Sequence, residues 1–323
     1  MVSITTSLAV LASIAASVNG AFTKDSFKEG VYFGDSYTDT GRGMGTKAPG
    51  WEEPAGGGFI KNWPIEATTL SGSKRHNYAQ SGSSCSSAIL GGFLPGIKEN
   101  QIPAFQADKK FTKGGKPFLD LPPKDTIYAI WIGTNDLGAQ GLLPQAAGAS
   151  KVPAYTECVF NAFDSLYAAG GRKFILMNVI PLNLLPMYTV MKGKGADGLY
   201  PNKPATAEGL KTANKKLEGM VLESNTLFNN KSQAAFKGAK PRYPGAEMAI
   251  YDVHKFVTDI YNDPKSCLKG AGANNDKWGF SDSNMWGDAL HPSPALGKCV
   301  ATEFVNVAHG SSKYATYLAD GAK

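Results

Sequence analysis

Ser36 lies directly behind an apolar run, Val31-Tyr32-Phe33, that stops at Gly34. A serine at the carboxyl end of a strand starts the next turn with its Oγ exposed, as a nucleophile requires. Gly34-Asp35-Ser36 is also ordinary turn composition, so the serine needs partners before it carries weight. Asp288 and His291 are three residues apart, and one helical turn would point both side chains the same way. That spacing lets a carboxylate orient an imidazole at Nδ1 while Nε2 faces a hydroxyl, the logic of a Ser-His-Asp triad. Pro292 restrains the residue before it and argues for a fixed turn at His291. Such a set performs acyl transfer, which also needs hydrogen-bond donors where the oxyanion develops. The candidates are the Ser36 N–H, the Gly82 N–H behind Asn77-Tyr78-Ala79, and the Asn135 side-chain amide behind the apolar run 126–132.

The other histidines compete poorly. His76 opens a strand-like run with no acid close in sequence, and His309 ends the last helical pattern without an acidic partner. His254 follows Asp252 at a strand end and is the one decoy. The chain lacks the Gly-x-Ser-x-Gly elbow, the Gly-x-x-x-x-Gly-Lys-Ser/Thr loop, His-Glu-x-x-His, and any Gly-x-Gly-x-x-Gly after a strand. ATP, zinc and nicotinamide chemistry have no anchor, so no cofactor or metal is expected.

These residues are placed by alternating short apolar runs and helical patterns. Strands are expected at 31–33, 77–79, 126–132, 174–179 and, as the last, 248–253. Helices are expected at 59–70, over Tyr155 to Tyr167 ending at Gly170-Gly171, over Leu210 to Leu227, and over Leu296 to Val307. Near-continuous apolar strands separated by helices indicate one α/β domain, a parallel sheet covered on both faces. The Gly/Pro-rich stretches 41–58 and 91–123 read as long loops on it.

At 323 residues and 42% hydrophobic, the chain has material for one large core. The net charge of +6 is scattered and no run such as Lys109-Lys110 grows into a basic stripe, which argues against a nucleic-acid partner. The first charged residue is Lys24; an apolar run, 8–16, then Val18 and Gly20, describe a signal peptide over 1–20, cleaved after Gly20. No later stretch is long and apolar enough to span a membrane. The mature chain, 21–323, is expected to be secreted and monomeric. Cys85, Cys158, Cys267 and Cys299 allow three pairings; Cys267 and Cys299 flank the C-terminal motif and are the favoured pair. Asn230-Lys231-Ser232 is a glycosylation sequon after a helix-like segment.

Four blocks in order resemble those of the SGNH (GDSL) hydrolase family: Phe33-Gly34-Asp35-Ser36-Tyr37-Thr38-Asp39-Thr40-Gly41, then Gly82 behind Asn77-Tyr78-Ala79-Gln80-Ser81, then Gly133-Thr134-Asn135-Asp136, and Asp288-Ala289-Leu290-His291-Pro292-Ser293. The resemblance implies a flavodoxin-like three-layer sandwich. It implies Ser36 as nucleophile, His291 as base and Asp288 as its orienter, with Ser36 N–H, Gly82 N–H and Asn135 as oxyanion donors. Within the family, 33–42, 77–85, Leu176-Met177-Asn178-Val179 with Pro181-Leu182, and Leu290-His291-Pro292-Ser293 are similar to secreted fungal acetylesterases of carbohydrate esterase family 16. That narrower likeness implies an acetylated oligosaccharide or other small acetyl ester as substrate. Gln80 and Ser83-Ser84 depart from its pattern around the second block. Trp286 and Asp39 are the candidate substrate contacts; Trp51, Trp63 and Trp131 are weighed as well, with Trp131 expected to pack. A lipase of the same family and an inactive carbohydrate-binding relative are the rival readings.

Overall fold

The computed structural model describes residues 22–43, 47–54, 62–236, 240–269 and 278–319. The expected leader and the first residues of the helix expected from Phe59 lie outside them.

Six strands form the main sheet: β1 (Glu29–Gly34), β2 (Lys74–Asn77), β3 (Thr126–Trp131), β4 (Lys173–Met177), β5 (Glu247–Tyr251) and β6 (Ala315–Ala319). Their order is β2-β1-β3-β4-β5-β6, with all neighbours parallel except β5 and β6. Every residue of β1, β3 and β4 is buried, as a sheet covered on both faces demands. The covering helices are α1 (Trp63–Ser71), α2 (Ile102–Lys110), α4 (Val152–Ala168), α5 (Ala207–Phe236), α6 (Val253–Asn262) and α7 (Pro294–Ala308), with a one-turn α3 (Thr134–Leu137) behind β3.

The parallel strands run in the flavodoxin-like order 2-1-3-4-5. In that order the strand order reverses between β1 and β3, so their following loops diverge and leave a crevice at the carboxyl edge. Ser36 follows β1 and Asn135 follows β3, one on each side of that crevice.

Four expectations need correcting. The stretch 91–123 is not a plain loop: α2 starts with Pro103 in its first turn and buries Ile102, Phe105 and Asp108. Its apolar content is too sparse, and too close to Gly and Pro, for periodicity to reveal it. The run 248–253 ends as a strand at Tyr251; Asp252 instead caps α6, its side chain accepting from the Lys255 N–H. A further strand, β6, follows the last helix and closes the edge antiparallel, so the sheet is mixed. The sequon residue Asn230 is exposed within α5 rather than beyond a helix, and Ser232 is buried.

Two disulfides staple the frame, Cys85–Cys158 with Cα atoms 6.1 Å apart and Cys267–Cys299 at 6.2 Å. The first ties the loop after β2 to α4, and the second ties the segment after α6 to α7, which starts three residues beyond His291. No helix among the described residues is long and apolar enough to cross a membrane.

Candidate active site

Ser36 Oγ lies 2.9 Å from His291 Nε2, and His291 Nδ1 lies 2.8 Å from Asp288 Oδ2 and 3.0 Å from Oδ1. Residues 288–291 are a bend rather than a helical turn. Asp288 Oδ1 accepts from the Leu290 and His291 N–H groups, both at 2.7 Å, and this local loop aims both side chains inward. Partial burial pushes the Asp288 carboxyl up, but the bonds from the His291 ring and from both backbone N–H groups outweigh it and hold it below the usual carboxylate range. An ionised carboxylate only accepts, so Nδ1 carries the proton and Nε2 is left to accept from Ser36.

Trp286, expected as a sugar contact, is fully buried and does not line the recess at Ser36. It bridges Pro292 across the loop, where the Gly287 N–H donates to the His291 carbonyl and the Ser293 N–H to the Met285 carbonyl. An indole sunk in the core anchors the loop that carries both Asp288 and His291. Tyr37 adds a second tie, its hydroxyl donating to the Leu290 carbonyl at 2.6 Å.

Asp39, the other expected substrate contact, is also buried, and its carboxylate is saturated from within. Oδ1 accepts from the Gly41, Arg42 and Gly43 N–H groups, while Oδ2 accepts from Ser81 N and Oγ at 2.8 Å. It therefore locks the Ser36 loop to the residue preceding Gly82. Asn62 was missed in the sequence; its amide donates to the Ser36 carbonyl at 2.8 Å and to the Asp39 carbonyl. Its position just before a Trp-Pro helix start is an N-cap signal, although here the side chain bonds the Ser36 loop rather than the helix end.

Gly82 adopts φ +79°, a left-handed conformation that suits glycine. No protein group among the described residues accepts from the Ser36 or Gly82 N–H. Asn135 spends one amide hydrogen on the Ser83 carbonyl at 2.8 Å and keeps the other. Gly133 precedes it at φ +136°, where a Cβ would collide with the Tyr155 hydroxyl and come within 2.7 Å of Val179. Asp136, next along α3, accepts from the Cys85 N–H at 2.8 Å. The loops bearing Gly82 and Asn135 are thus strapped together twice.

Gln101 is the second residue the sequence reading missed. Fully buried before α2, it pairs with both backbone groups of Gly34 and donates to Ser83 Oγ at 3.0 Å. One amide joins the end of β1 to the Gly82 loop. Ser83 is the group that receives both Gln101, at its hydroxyl, and Asn135, at its carbonyl.

Of the decoy pair, Asp252 is occupied by the α6 cap and by the Asn178 amide. His76 bonds Glu29 at 2.8 Å, at the opposite end of β1 from Ser36. Trp63 and Trp131 wall the recess at Ser36, whereas Trp51 sits away from it beneath the Arg42 guanidinium.

Behind Ser36, burial pushes the Asp35 carboxyl up to about 7 and the Asp136 carboxyl up to about 8. Asp136 Oδ2 has no partner among the described residues, so an ionised carboxylate there is poorly compensated. An acid with a raised folded-state pKa costs the fold stability as pH climbs from its free value to the raised one, because over that range only the unfolded chain ionises. The native protein should therefore lose thermal stability between about pH 4 and pH 8, where the decline ends, and Asp136→Asn should flatten it. Melting temperatures taken across that range check this; parallel curves for the two proteins would refute it.

The profile of the GDSL-like Lipase/Acylhydrolase family matches residues 31–304. The chain is 33% identical to an acetylesterase of Hypocrea jecorina, over 96% of this chain and 98% of that protein. It is 26% identical to an acetylesterase of Thermothelomyces thermophilus, over 87% and 88%. Among solved structures it is similar to a catalytic mutant of Axe2, an acetylxylan esterase from Geobacillus stearothermophilus, with TM-score 0.45 and 14% identity over 88% of this chain and 94% of that one. The chain therefore belongs to the GDSL-like lipase/acylhydrolase family of carboxylic ester hydrolases.

Proposed function

We propose that the protein is a secreted serine esterase that removes acetyl groups from acetylated carbohydrates through an acyl-serine. The observation that carries the mechanism is the chain of contacts from Ser36 Oγ through His291 to Asp288. His291 Nε2 takes the Ser36 proton as Oγ attacks the ester carbonyl. The oxyanion is held by the Ser36 and Gly82 N–H groups and the second Asn135 amide hydrogen. His291 returns the proton to the leaving alcohol, and water then repeats the sequence on the acyl-serine. Asp288 stays ionised throughout and balances the imidazolium.

A short acyl group is supported by space. The recess shared by Ser36 and His291 holds about 40 Å³ and that beside Asn135 about 20 Å³. Neither recess is large, which supports a short acyl group. The two named acetylesterases support the same acyl group, and the likeness of 33–42, 77–85 and Leu290-His291-Pro292-Ser293 to carbohydrate esterases supports a carbohydrate as the alcohol. Two disulfides and the apolar leader-like run at the N-terminus support secretion into an oxidising space.

Rates on p-nitrophenyl acetate, butyrate, octanoate and palmitate test the acyl preference, with Ser36→Ala alongside. A steep fall after acetate that vanishes in the variant is expected. A maximum at octanoate or beyond would move the reading to a lipase, and no Ser36-dependent rate on any ester would move it to a binding protein.

A further inference from the structure

Phe280 stands at the recess that holds Ser36, Asp288 and His291, with 72% of its surface exposed. A single exposed phenylalanine is ordinary on a protein surface; one at the mouth of a catalytic recess has a use. Its ring rests on Gly287, where a Cβ would come within 3.3 Å of it, and Gly287 directly precedes Asp288. The ring therefore flanks the imidazole side of the site. Asn135 lines a different recess, with Leu290 and Tyr188.

Acyl transfer assigns that side a role. His291 Nε2 must reach the leaving oxygen to return its proton, so the alcohol half of the ester departs along the imidazole face. From this geometry we infer that Phe280 is the platform on which the ring of the leaving sugar stacks. The inference deepens the acetylated-carbohydrate reading and rests on it. A phenyl ring has no hydrogen-bonding group, so it recognises the apolar C–H face of a pyranose rather than a particular hydroxyl. Specificity from Phe280 is for a ring-shaped alcohol, blind to which sugar carries it.

Two substrates that share the acetyl group and differ in the alcohol separate the alternatives: acetylated xylobiose and ethyl acetate, both followed by acid release in a pH-stat. Phe280→Ala should raise KM for acetylated xylobiose roughly tenfold with kcat retained, the loss expected for one aromatic contact. Its kcat/KM on ethyl acetate should be unchanged, and Phe280→Trp should keep the low KM on the sugar ester. An unchanged sugar KM in Phe280→Ala, or an equal loss on both substrates, overturns the assignment. If the native protein splits ethyl acetate through Ser36 yet leaves acetylated xylobiose untouched, the carbohydrate reading fails first, on the native protein alone.

Discussion

Ser36→Ala will lower kcat on acetate esters by about four to six decades, and His291→Ala will lower it by a similar amount. The two losses will not add in the double variant, because nucleophile and base act as one unit. The 2.9 Å contact between Oγ and Nε2 makes each useless without the other. A residual rate above the uncatalysed one should survive in all three variants, supplied by the oxyanion donors and by substrate binding. The folded state should be little affected, since both side chains are part-exposed and the backbone of their loops is held by Asn62, Tyr37 and Trp286. Steady-state rates with circular dichroism alongside check this. Either single variant with near-native turnover and a native spectrum would remove the residue from the mechanism.

Asn135→Ala will lower kcat by about two to three decades while KM changes little, the signature of a donor engaged mainly in the transition state. The side chain has a second task, its bond to the Ser83 carbonyl, and the alanine variant loses both. Asn135→Asp separates them. The carboxylate has no hydrogen to donate to either partner, and it sets a negative charge where the oxyanion forms, so it should be at least as impaired as the alanine. A mainly KM effect in Asn135→Ala would instead place the amide in substrate binding. Native kcat with a lowered melting temperature would leave Asn135 as a loop strap alone.

The candidate site was legible in part because its chemistry is written in local pairs. Asp288 and His291 are three residues apart, and their mutual hydrogen bonds close within a loop of four residues. Gly82 and Gly133 have positive φ, and glycine is the residue type that marks such positions in a sequence. The sheet was legible for a similar reason. Strands buried on both faces read as unbroken apolar runs, so β1, β3, β4 and β5 were found, while the mostly half-buried edge strand β6 was not.

The residues that escaped are those whose purpose lies in distant partners. Gln101 is a polar residue in a Gly/Pro-rich stretch, and only its burial against Gly34, 67 residues earlier, gives it meaning. Trp286 and Asp39 were visible but assigned the wrong way round: an aromatic and an acid near a site resemble substrate contacts until burial and saturated hydrogen bonds show them to be loop anchors.

The sequence by itself determined the residue types for acyl transfer, their order along the chain, and the strand ends that bear them. Tertiary structure alone decided that Ser36 and His291, 255 residues apart, meet at 2.9 Å, that a Gln101 amide and the Asp39 carboxylate lock the Gly82 loop to the Ser36 loop, and that Phe280 stands open at the mouth. The physical reason is range. Backbone preference and short-range hydrogen bonds act over a few residues and leave a trace in local spacing, whereas burial and long-range polar contacts exist only once the sheet has brought its carboxyl ends together.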